Sequence, residues 1–98
     1  MYGINSTVYN NLINYFNKNK NIKSVILFGS RAKGNEKINS DIDLCIECTE
    51  KVRGIIEDDI EDIIGVYSCD ILYLDLLNEE IKKQIDRDGI KIYKINNK

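Results

Sequence analysis

Lys23-Ser24-Val25-Ile26-Leu27-Phe28-Gly29-Ser30, followed after ten residues by Asp41-Ile42-Asp43-Leu44-Cys45-Ile46-Glu47, decides the fold of this 98-residue chain. The first run is short, apolar and rich in strand formers, and Gly29 stops it abruptly. The second alternates strictly, with Ile42, Leu44 and Ile46 on one face and Asp41, Asp43, Cys45 and Glu47 on the other. A period of two means a strand whose aliphatic side lies on a core and whose other side is free to carry chemistry. A turn or short helix from Ser30 leads into the polar loop Gly34 to Ser40 that joins the two runs.

Working outward, Tyr9, Leu12, Ile13 and Phe16 recur at helical spacing behind Ser6, which is placed to cap a first helix. After the second strand, Thr49 is placed to cap a helix with the stripe Val52, Ile56, Ile60, Ile63 and Ile64, and Gly65 is a stop. Cys69 to Leu74 reads as a third strand. Asn78 caps a helix anchored by Ile81 and Ile85, Gly89 ends it, and Ile90 to Ile95 alternates as a final strand. The order α-β-(α)-β-α-β-α-β predicts an α/β (α+β) domain spanning 1–98, with one mixed sheet and helices packed mainly on one face.

Composition bounds the function. With 43% hydrophobic and 31% charged residues the chain is globular in character, and its length suits one core and one site. A net charge of −2 argues against direct nucleic-acid binding, which usually calls for a basic face. Met1 to Phe16 is polar and interrupted by asparagine, unlike a secretory leader, and no apolar run approaches the length of a membrane span. Three cysteines in so short a chain fit a reducing compartment, so a cytoplasmic location is expected.

Gly29-Ser30 sets unpaired backbone N–H groups at the end of a buried strand, where phosphate oxygens fit, and Arg31 and Lys33 add cationic groups nearby. Taken alone the pair is equally an ordinary tight turn. Asp41 and Asp43, at i and i+2 of a strand, point the same way with Cα atoms roughly 6.5 Å apart. Two carboxylates facing one space repel unless a cation joins them, and an oxygen-rich site of this kind suits Mg²⁺. Two such ions stabilise attacking and leaving oxygens in phosphoryl chemistry. The plainer alternative is the solvated side of an edge strand. Asp70 lies in an otherwise apolar strand; if that strand neighbours Asp41 to Glu47 it completes a three-carboxylate cluster and supplies a general base. Otherwise it is a strand-edge aspartate bonded to backbone.

Leu27 to Gly34 with Ser40 to Leu44, spaced as Gly-Ser, ten residues, Asp-x-Asp, closely resembles the signature of the DNA polymerase β-like nucleotidyltransferase superfamily, and the size resembles its minimal nucleotidyltransferase (MNT) members. That resemblance implies the nucleotidyltransferase fold, with Gly29, Ser30 and Arg31 at the nucleotide phosphates and Asp41, Asp43 and Asp70 as catalytic, metal-binding carboxylates. It further implies Mg²⁺ as cofactor, ATP as substrate and a HEPN-family toxin as partner, the MNT protein acting as an antitoxin that transfers AMP to a toxin tyrosine. A non-catalytic antitoxin that covers its toxin sterically is the alternative, and six tyrosines suit a partner interface.

Cys45-x-x-Cys48 lacks the ligands for a zinc site, because the chain has no histidine and Cys69 is the remaining cysteine. The pair reads as packing cysteines facing opposite ways. The acidic run Glu57, Asp58, Asp59, Glu61 and Asp62 reads as a solvated helix face, with a basic patch on a partner as the other use.

Overall fold

The computed structural model describes residues 1–96. Four helices and four strands follow in the expected order: α1 (Ser6–Lys18), β1 (Ile22–Phe28), α2 (Ser30–Lys33), β2 (Ile42–Cys48), α3 (Arg53–Ile64), β3 (Cys69–Tyr73), α4 (Glu79–Asp88) and β4 (Ile90–Lys94). Short 3-10 turns, Glu50–Val52 and Leu74–Leu76, precede α3 and follow β3. The strands form one mixed sheet in the order β3-β2-β1-β4. β1 is antiparallel to both β2 and β4, whereas β2 and β3 run parallel and are joined through α3, the crossover that a parallel pair requires.

Two sets of contacts hold this sheet. On one face Leu12 and Phe16 of α1 and Ile56, Ile60 and Ile64 of α3 meet Val25, Leu27, Ile42, Leu44 and Ile46, all buried. Each such side chain contributes roughly 1.5–3 kcal/mol on leaving water. On the other face α4 lays Ile81 and Ile85 over Ile26, Phe28, Cys45 and Leu72. Helix is therefore concentrated on one face, as expected, with α4 alone covering part of the other. Cys45 is buried under α4 and Cys48 packs towards the opposite core, in keeping with their reading as packing cysteines. The two cysteines do face opposite ways, and all three are free thiols.

Two caps differ from expectation. Asn5, not Ser6, caps α1, its side-chain oxygen accepting from the Thr7 and Val8 N–H groups. Asparagine and serine compete closely for that position, and the chain enters one residue earlier. Thr49 precedes a 3-10 turn and makes no side-chain capping bond. Asn78 caps α4 as expected, accepting from the Ile81 N–H. No helix among the described residues is long and apolar enough to cross a membrane.

Candidate active site

Residues of β1 and β2 that pair directly share a face, so Phe28 opposite Asp43 and Ile26 opposite Cys45 place Asp43 on the side that carries α4. In the parallel pair Asp43 is the Cα partner of Asp70, which brings the two carboxylates to neighbouring strands at the same level, roughly 4.8 Å apart at Cα. Asp41 stands two residues earlier on the same side. Asp43 and Asp70 are therefore neighbours across β2 and β3, and the charges of both Asp70 and Asp41 are felt at Asp43. Asp41 and Asp70 are exposed, and Asp43 is half-buried.

Gly29 adjoins this group from β1. Its φ of 75° and ψ of −156° lie where only glycine sits without strain, and a Cβ there would run into the Asp43 carboxylate. Ser30 begins α2 and is half-buried at the same mouth. Gly34, with φ of 77°, closes this short helix in the left-handed conformation. Gly29 and Asp43 therefore meet, with Ser30 next in sequence to the glycine.

Arg31 is placed differently from the expectation of a mobile cation at the phosphates. Its side chain is 2% exposed. One terminal nitrogen donates to the Tyr2 carbonyl at 3.1 Å and the other to the Ser40 carbonyl at 2.7 Å, while the guanidinium lies over the Tyr67 ring, 5.4 Å from its centre. The guanidinium thus ties the residue before Asp41 to the N-terminal segment. A fork of fixed donors suits two carbonyls at once, and the resulting bracket leaves Arg31 facing the protein.

The electrostatics follow from this crowding. Burial, then the charges of Asp70 and Asp41, push the Asp43 carboxyl up to about 6, and Arg31 partly offsets them. Burial and the same three aspartates push the Cys69 thiol up to about 12, so it stays protonated and is no nucleophile at neutral pH. Ser68 donates its hydroxyl to Asp41. As the side chains stand, no three histidine, cysteine, aspartate or glutamate residues among those described converge on a single ion position. Asp41 is turned to Ser68. The donor set itself, carboxylate oxygens with two of the three residues exposed, is of the kind that suits Mg²⁺.

Ser68 and Tyr67 are residues that the sequence reading passed over. The available signal was their place just before Asp70: once β3 is laid parallel to β2, whatever precedes Asp70 must lie beside Asp41.

A positive-φ glycine at the end of β1 lies against an aspartate of β2 that is itself paired with an aspartate of β3. Residues 10–98 match the family described as "Polymerase beta, Nucleotidyltransferase", and the chain belongs to that family. A Methanocaldococcus jannaschii protein named for protein adenylyltransferase activity is 32% identical over 75 residues, covering 72% of this chain and 76% of its own. Among solved structures, a toxin–antitoxin with AMP-PNP superposes with a TM-score of 0.69 at 18% identity, covering 94% of this chain and 75% of that one. The MNT antitoxin complex with a tri-AMPylated HEPN toxin of Shewanella oneidensis gives 0.61 at 15% identity, covering 97% and 74%. At these identities the superpositions establish the shared fold.

Proposed function

We propose that this chain is an Mg²⁺-dependent nucleotidyltransferase that moves AMP from ATP to a tyrosine hydroxyl of a HEPN-family toxin, and so acts as its antitoxin in the cytoplasm. The observation that carries this reading is the placement of Asp43 between Gly29 and Asp70, on a chain whose relative is named for protein adenylylation.

The backbone N–H groups at Gly29 and Ser30 receive the phosphates where the strand end leaves them free, while the missing Cβ of Gly29 makes room for the Asp43 carboxylate beside them. Asp41, Asp43 and Asp70 would hold Mg²⁺, which when bound would offset the charge of the phosphates. Arg31 acts from behind, fixing the Ser40 carbonyl and hence the start of β2. The tyrosine oxygen forms a bond to the α-phosphorus, the bond from that phosphorus to the β-phosphate oxygen breaks, and pyrophosphate leaves with the electron pair. Asp70, exposed at the rim, takes the hydroxyl proton.

Growth rescue separates transfer from simple covering of the toxin. Co-expressed with its toxin, the wild-type chain is expected to restore growth and the Asp41→Asn/Asp43→Asn variant to fail while still binding the toxin. Full rescue by that variant would establish steric neutralisation instead.

A further inference from the structure

The two edges of the sheet are built differently. β4 carries Lys91 and Lys94, the kind of charge that keeps an edge from pairing with other chains. β3 reads Cys69-Asp70-Ile71-Leu72-Tyr73, apolar apart from the aspartate at its active-site end, and among the described residues it pairs with β2 alone. The Ile42 N–H donates to the Ser68 carbonyl. Main-chain groups alternate sides along a strand, so Ser68, Asp70 and Leu72 bond towards β2, while the N–H and C=O groups of Cys69, Ile71 and Tyr73 point outward.

A groove flanks this open edge on each face. On the α3 side it has a floor of Ile60, Ile64 and Ile71 and a rim of Glu57 and Glu61, with no lysine or arginine lining it. On the α4 side it is apolar, formed by Leu72, Leu76, Leu77 and Ile81, with Leu76 68% exposed. An added strand would send alternate side chains into each groove, one set meeting carboxylates and the other an aliphatic surface.

We propose that the outer edge of β3 is the docking site for an extended, basic segment of the acceptor protein, which adds as a fifth strand with its cationic residues over Glu57 and Glu61. This inference rests on the transfer reading above and names the route by which the acceptor reaches it. The edge begins at Asp70, the partner of Asp43, so a segment lying along it runs directly to the carboxylates. A second copy of this chain is a poor occupant, since it carries the same acidic rim and a net charge of −2.

The test uses the full chain without ATP and a synthetic peptide in which lysine and valine alternate about one tyrosine. Amide exchange and amide NMR shifts give the readout. On saturation the Ile71 and Tyr73 amides are expected to slow by about tenfold or more, as newly bonded edge amides do. Replacing the peptide lysines by glutamate, or introducing Glu61→Lys in the protein, is expected to weaken binding by about threefold or more. No binding, equal binding of the glutamate peptide, or protection confined to another surface would overturn the proposal. Labelled ATP with the toxin partner keeps the two readings apart. AMP transfer with unchanged Ile71 and Tyr73 exchange in the complex would reject this edge and keep the activity. Protection of β3 by the toxin without any transfer would keep the edge and reject the activity.

Discussion

The Asp43 carboxylate occupies the space that a side chain on residue 29 would fill, so Gly29 and Asp43 are complementary parts of one device. The β1–β2 pairing sets Phe28 opposite Asp43, and the next residue must turn the chain away at positive φ while leaving room for the acid. Gly29→Ala is therefore expected to lose about 1–3 kcal/mol of stability through backbone strain. It should also weaken Mg–ATP binding by at least about tenfold, a loss of about 1.4 kcal/mol, as Asp43 is displaced. Urea unfolding and ATP titration measure the two effects separately.

The raised pKa of Asp43 makes a pH prediction with a definite sign. Its folded value of about 6 lies above its ordinary value of 3.8, so between these the folded state binds more protons than the unfolded chain. Without divalent cation, this group's contribution to stability falls as pH rises from about 4 to about 6 and is flat beyond. Asp43→Asn should remove that slope, and added Mg²⁺ should stabilise the wild type more at pH 7 than at pH 5. Thermal melts across this range, with and without Mg²⁺, check it.

Arg31 yields a prediction that separates bracing from phosphate contact. Arg31→Ala strands the Tyr2 and Ser40 carbonyls and opens a cavity beside Tyr67, so it should cost about 2–4 kcal/mol. Arg31→Lys keeps the charge but cannot span both carbonyls, and should recover only part of that loss. A drop in ATP affinity with unchanged unfolding free energy would place the guanidinium at the phosphates instead.

The Asn78 cap provides a fold control away from the carboxylates. Asn78→Ala removes the bond from the Ile81 N–H and should lower stability by about 1 kcal/mol. α4 stays on the sheet through Ile85, so unfolding should remain one cooperative transition at a lower midpoint.

The strands and the facing of Asp41 and Asp43 are legible because their signals are local. The alternation from Asp41 to Glu47 fixes the facing of β2, and Asp43 follows from that period alone. The packing role of Cys45 is legible from its residue type, but the element that covers it is not, because α4 lies about forty residues away in sequence. The anchorage of Arg31 is not legible, because its acceptors are backbone carbonyls of Tyr2 and Ser40, which any residue types would offer equally. The Asp70 placement needed β3 beside β2 in parallel, a non-local pairing that its own residues do not encode. The cap at Asn5 differed by one position between two residue types that cap nearly equally well.

Transfer of AMP is the central claim, and label from α-phosphate-labelled ATP tests it most directly. The chain and its toxin partner are incubated with Mg²⁺, and the toxin is recovered and mapped by mass spectrometry. Label is expected on a toxin tyrosine, dependent on Mg²⁺ and absent with Asp43→Asn. An unlabelled toxin in the presence of wild-type chain that binds Mg–ATP, or undiminished labelling by Asp43→Asn, would contradict the account.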